Sequence, residues 1–284
     1  MRCVLCIRWH AGASVLRCSH LNRALSYSES FMKNTGCCKL CDQESILQKS
    51  HIIPRSIIKD LKAGDSQLYT YSQSHPPVYS NADPKELLLC RKCEQLLSRR
   101  YEKYGTELLK KHKEVIRHST HIEFTKFKYQ KWYLYYLSII WRASISTLPE
   151  FEHIELGGFN DVLKNCIWKN RLAVSDGIDI DEFITITMFR VIDKSQKIED
   201  QAIKNLMLGL TSSPEKDNDD HLFFFMYGGF LVQYRFTSLY LHVKKKTKLT
   251  KSDMSRRQHK FVRLLDITES RFLCEELNWL VENV

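Results

Sequence analysis

Cys38-Lys-Leu-Cys41, then Lys49-Ser-His-Ile-Ile-Pro54, then Leu88-Leu-Cys-Arg-Lys-Cys-Glu-Gln95 are the stretches on which the fold of this chain turns. Each C-x-x-C pair is a tight knuckle that aims two sulfurs at one point. Two knuckles about 50 residues apart can therefore clamp distant segments around a single tetrahedral metal ion. Cys38, Cys41, Cys90 and Cys93 are accordingly expected to hold a structural zinc ion. Cys37 is the ambiguous neighbour, directed elsewhere if Cys38 and Cys41 form the knuckle.

The chain around these motifs has 284 residues and ten cysteines, eight of them before residue 100. A disulfide scaffold is normally shorter and secreted. Here Met1–Leu25 carries charges throughout and no continuous apolar core, so it does not read as a secretory signal. A reducing compartment, and hence a cytoplasmic location, is the expectation. Residues 1–31 read as a disordered extension, with three alternatives open: a transit-like leader, an upstream extension before Met32, or a small extra metal site on Cys3, Cys6, Cys18 and His20.

Composition excludes several classes. With 10 Gly and 6 Pro the chain is neither fibrous nor low-complexity, and 43% hydrophobic residues supply a core. No apolar run reaches the roughly 18 residues of a membrane span; the Trp132–Trp141 run is broken by Arg142, so no membrane partner is expected. Residues 1–130 hold 22 Lys/Arg against 12 Asp/Glu and the remainder 21 against 21, so the whole +10 excess is N-terminal. That part is expected to meet an anionic partner, nucleic acid first.

Hydrophobic spacing gives a coarse α+β plan. Arg55–Leu61 has helical spacing, and residues 64–84, with Gly64, Pro76, Pro77 and Pro84, read as a loop or irregular insertion. A helix is expected from the second knuckle through Tyr104. The all-round apolar run from Lys131 to Ser146 predicts a buried helix, so Trp132, Tyr133, Tyr135, Tyr136 and Trp141 belong to the core rather than to a base-stacking surface. Phe159–Trp168 predicts another helix. Phe183–Ile192 and Phe223–Phe236 read as strands, the second kinked or bulged at Gly228-Gly229. Glu269–Val281 predicts a closing amphipathic helix. Asp217–Asp220 is an acidic loop, and Lys244–Lys251 holds five lysines in eight positions. The expected division is 32–105 for the zinc domain and 106–284 for a mixed helical and β companion.

The order C-x-x-C, His-Ile-Ile-Pro, Leu-Leu-C-x-x-C resembles the zinc-bearing HNH endonucleases, which have a ββα-metal fold, over roughly residues 37–105. Lys49–Pro54, Leu88–Gln95, Tyr101-Glu102 and a Trp-Arg-Ala-Ser segment like Trp141–Ser144 resemble a bacterial subgroup of HNH-like proteins. The resemblance implies metal-dependent hydrolysis of phosphodiester bonds, with double-stranded DNA as the expected partner and bacterial defence against mobile DNA as the setting. It implies His51 as the general base. It also implies a catalytic Mg2+ or Mn2+ at the positions of Ser50 and Glu94, stabilising the leaving oxygen. Ser50 departs from the family's acid and Glu94 from its His; Glu102 is a further candidate carboxylate. The orienting Asn of the pattern falls near Lys85 or Glu86, with Asn81 and Asp83 slightly upstream.

From the residues alone, His51 can also be a core histidine and Glu94 a helix N-terminal charge. Arg55, Lys59, Arg91, Lys92, Arg99 and Arg100 surround the motifs and are the expected contacts to a nucleic-acid backbone. The rival expectation is an HNH-like zinc module that binds nucleic acid or a protein without cutting. A protein partner for the companion domain is also open.

Overall fold

The computed structural model describes residues 4–8, 34–62, 68–72, 75–80, 83–110, 115–212, 221–237 and 259–283. In chain order its elements are β1 (Val4–Arg8), β2 (Thr35–Cys37), β3 (Glu44–His51), α1 (Arg55–Lys62), β4 (Leu68–Ser72), β5 (His75–Ser80) and β6 (Lys85–Cys90). Then follow α2 (Arg91–Leu97), a π turn (Ser98–Glu102), α3 (Lys103–Lys110), β7 (Val115–Arg117), β8 (His121–Phe124) and α4 (Tyr129–Ser144). The remainder is α5 (Phe159–Lys169), β9 (Ala173–Ser175), β10 (Ile178–Asp179), β11 (Ile184–Ile192), α6 (Asp200–Asn205), β12 (Met207–Ser212), β13 (His221–Tyr227), β14 (Phe230–Phe236), β15 (Lys260–Asp266) and α7 (Arg271–Asn283). The molecule is mixed α+β, and no helix among the described residues is long and apolar enough to cross a membrane.

A small sheet, β2-β3-β6, carries the motifs, and a ten-stranded sheet in the order β5-β4-β1-β12-β13-β14-β11-β15-β8-β7 forms the body. The large sheet is antiparallel except where β15 runs parallel to β11. One face packs on α4 in a core that includes Trp132, Tyr136, Ile186, Phe225 and Val232. The other face packs Leu208, Phe224, Met226 and Leu231 against Ile203 of α6 and Leu273 of α7. Burial on both faces explains why Leu222–Met226 is apolar without alternation.

Two local expectations differ from the structure. Phe223–Phe236 is a hairpin rather than one kinked strand: Gly228 and Gly229 adopt φ of 61° and 78°, the backbone of a two-residue type I′ turn that matches strand twist. Leu68–Ser72 and His75–Ser80 form β4 and β5, where a loop is expected. The β-prone Leu68-Tyr-Thr-Tyr71 outweighs the punctuation, and Pro76 and Pro77 are tolerated because β5 is an edge strand.

Val4–Arg8, inside the segment read as an extension, pairs with β4 on one side and β12 on the other. Its Val-Leu-Cys-Ile run favours a strand despite the flanking arginines and serines. Cys3, Cys18, His20, Asp217–Asp220 and Lys244–Lys251 lie outside the described residues. The division expected after residue 105 coincides with no gap in packing, because one core joins Cys38, Leu89 and Tyr101 to Trp132, Ile186 and Phe225.

Helix α4 makes that junction. It is buried along nearly its whole length, which is what its all-round apolar pattern requires. Near its start the Tyr133 hydroxyl donates to the Ile184 carbonyl of β11 at 2.7 Å. Near its end Arg142 reaches the carbonyl of His51 at 2.8 Å. Gly105 lets α3 approach, since a Cβ there would run into the Tyr135 ring.

Candidate functional site

The knuckle at Cys38–Cys41 is closed by backbone bonds from Asp42 N to the Cys38 carbonyl (2.8 Å) and from Cys38 N to the Gln43 carbonyl (3.0 Å). Asp42 takes the turn at φ 59°, a conformation Asp tolerates. Lys39 N donates to the Leu88 carbonyl at 3.0 Å, which ties this turn to β6 and so to the second knuckle. Cys90 closes β6 and Cys93 sits in the first turn of α2.

The four sulfurs of Cys38, Cys41, Cys90 and Cys93 lie within 4.8 Å of one another, with Cys41 Sγ and Cys90 Sγ 4.0 Å apart. Tetrahedral zinc–thiolate bonds of about 2.3 Å set sulfurs about 3.8 Å apart, so the site fits such an ion. Cys38 Sγ also accepts the Cys90 N–H at 3.3 Å. Burial opposes ionisation of Cys38, but hydrogen bonds from the Cys90, Cys41 and Leu40 N–H groups and the Cys41 thiol outweigh it and bring its pKa to about 7. Burial pushes the Cys93 thiol strongly up, and hydrogen bonds with Cys90 and Cys41 add to it. An ion entering this site therefore displaces protons, as thiolate ligation demands.

His51 ends β3, paired in register with Lys85, and its ring reaches a part-exposed position. Its Nε2 lies 3.2 Å from Asp83 Oδ1, although the two are not aligned for a hydrogen bond. Asp83 is also paired with Lys85 at 2.5 Å. Burial lowers the His51 pKa from its ordinary 6.5; Asp83 opposes the fall, and Lys85, Arg55 and Arg142 reinforce it. The shift favours the neutral imidazole, which stands with a carboxylate against one nitrogen.

Ser50 and Glu94 do not join His51 around a common point. Adjacent strand residues face opposite sides, and Ser50 is fully buried. Its hydroxyl accepts the Leu89 N–H at 3.1 Å and lies 3.4 Å from the Gln48 carbonyl. Glu94 sits in the first turn of α2 with Oε1 buried and unpaired. Burial raises its pKa; Ser50 and then Arg142 oppose the rise, and Glu102 adds to it. Among the described residues, the four cysteines are the only group of three or more His, Cys, Asp or Glu whose ligand atoms converge. The residues at the expected catalytic-ion position do not fit a Mg2+ or Mn2+ site, which needs several oxygens at about 2.0–2.1 Å.

The group that meets Glu102, and that acts on Glu94 through its charge, is Arg142, only 1% exposed. Its Nη1 donates to the His51 carbonyl at 2.8 Å and to Glu102 Oε1 at 2.9 Å, while Nε donates to the Ser138 carbonyl at 3.1 Å. The π turn brings Glu102 into this position. Eight residues of α-helix after Glu94 would land about 80° round the axis, and the wider turn at Ser98–Glu102 takes up much of that offset.

Arg55, Lys59, Arg91, Lys92, Arg99 and Arg100 are all exposed. Arg55 is close enough to influence His51. Arg100 is engaged otherwise: its Nη1 donates to the Trp168 carbonyl at 3.1 Å, capping the end of α5. The sequence reading gives Arg142 no role, and it names Asp83 only as lying slightly upstream of the expected orienting position. A lone charge interrupting an apolar helix was the available sign for Arg142, because such a charge must find buried partners. No family model matches the chain, and comparisons with curated proteins and with solved structures return no match.

Proposed function

We propose that the zinc-stapled unit is an HNH-like module acting on the phosphodiester backbone of nucleic acid, double-stranded DNA first, with His51 as general base. The observation that carries this is the His51–Asp83 pair: a neutral, part-exposed imidazole beside a carboxylate, with Arg55 and Lys85 near it. With Nε2 set 3.2 Å from the Asp83 carboxylate, the charge there favours the tautomer that carries its proton on Nε2, and Nδ1 keeps the lone pair. It accepts a proton from water as the water oxygen attacks phosphorus and the P–O bond to the leaving oxygen breaks. Arg55 and Lys85 supply positive charge where a phosphate would sit. Lys59, Arg91, Lys92 and Arg99 add sequence-independent affinity.

A second reading, binding without cutting, is favoured by the full burial of Ser50, which removes one expected ligand of a catalytic ion. Nicking of supercoiled plasmid by zinc-loaded wild type and His51→Ala, with Mg2+, Mn2+ or no added metal, separates the two. Nicking by wild type that falls at least a hundredfold in the variant is the expected result. Salt-dependent plasmid binding by both proteins without nicking favours the second reading, and equal nicking by both removes His51 as the base.

A further inference from the structure

We propose that the guanidinium of Arg142 is the resident cation of this site, occupying the place between Glu94, Glu102 and the His51 carbonyl that a divalent ion would otherwise take. The oxygens a hard cation would seek are the Glu102 carboxylate, the Glu94 carboxylate and the His51 carbonyl. Arg142 Nη1 already bridges two of these, at 2.8 and 2.9 Å. The group is held there. Nε is fixed on the Ser138 carbonyl of its own helix, and the side chain is 1% exposed. A guanidinium does not lose its proton in a protein, so its charge is permanent and repels a second cation brought to the same oxygens.

Two further atoms suit an internal ion pair better than a metal cage. Arg142 Nη2 and Glu94 Oε1 are both buried without a hydrogen-bond partner, one a spare donor and the other a spare acceptor. Burying both is costly unless they serve each other directly or through a water. A dication at this point would satisfy Glu94 but leave Nη2 facing like charge. Arg142 also grips the backbone of His51 itself, 91 positions away in sequence, so it positions the residue proposed as base. The catalytic consequence rests on the function proposed above: phosphodiester chemistry at His51 proceeds without added Mg2+ or Mn2+, zinc remaining in the cysteine site. The cation assignment stands on the geometry alone.

The test is Mn2+ titration of fully zinc-loaded protein, followed by electron paramagnetic resonance, without nucleic acid present. Wild type is expected to bind no Mn2+ up to millimolar concentration. Arg142→Met, which keeps the unbranched apolar stem of the side chain and removes the guanidinium, is expected to gain one site at least tenfold tighter than any wild-type binding. Should that variant fail to fold, Arg142→Lys replaces it; its single ammonium leaves the His51 carbonyl unbridged, and a smaller gain is expected. One Mn2+ bound by wild type and lost in Glu94→Gln overturns the assignment, as does a folded Arg142 variant that gains no Mn2+. A plasmid that stays intact under all conditions, beside the expected Mn2+ results, counts against the nuclease function and leaves Arg142 as the cation.

Discussion

The two ends of α4 lie in different kinds of surroundings. At its start, aromatic side chains pack against the large sheet and their hydroxyls are bonded: Tyr129 to Asp181, Tyr133 to the Ile184 carbonyl. Only the Trp132 indole nitrogen, set among the rings of Phe127 and Tyr136, has no acceptor there. At its end, beside the four-cysteine cluster, Arg142 Nη2, Glu94 Oε1, His51 Nε2 and Asp83 Oδ1 are all buried atoms without a hydrogen-bond partner. Buried polar groups are normally satisfied. A helix that satisfies nearly all of them at one end and leaves four open at the other separates a packing role from a chemical one.

The strongest way to break this comparison is through the metal. Cys93→Ser is expected to abolish zinc binding and unfold the residues around both knuckles, since ligation of a structural zinc supplies about 10–16 kcal/mol of apparent binding energy. Zinc content and circular dichroism melting read the outcome, and one zinc per chain with an unchanged melt would disprove the site. At the packed end Trp132→Ala is expected to cost about 3–5 kcal/mol by cavity formation while leaving one zinc bound; loss of zinc in that variant would show that the two ends are not separable.

The smallest effect sharpens the polar end. The His51 pKa is lowered on folding, so the unfolded chain binds more protons in the interval below 6.5. Stability from this group is therefore full above pH 6.5 and lost as pH falls through the folded value. His51→Gln should flatten that part of the profile, and urea midpoints at pH 7.5, 6.0 and 5.0 for both proteins check it. Identical slopes would mean that the imidazole is not perturbed by its surroundings.

What was legible in the sequence depended on range. The C-x-x-C spacing is a local signal with one stable geometric solution, and Cys38, Cys41, Cys90 and Cys93 converge as it requires. The α4 pattern likewise reports its own burial. Arg142 was visible as an interruption, but its partners lie 40 and 91 positions away and no local pattern names them. The π turn that carries Glu102 toward Arg142 has no local sign in Ser98–Glu102 by which a sequence reading could find it. Gly228-Gly229 was read as a kink because a continuous apolar run hides a chain reversal when both faces of the sheet are covered.

The strand order has a kinetic side. β8, at residues 121–124, enters the large sheet only through β15 at 260–266, and β1 waits for β12, some 200 positions later. Pairings of such long range are slow to form. During synthesis the β4–β1 edge must stand exposed until β12 has emerged and the β7–β8 hairpin until β15 has, whereas both knuckles are complete once Cys93 has appeared. A metal ion taken up by these four cysteines would thus precede the sheet, giving the growing chain an ordered anchor well before its main core closes.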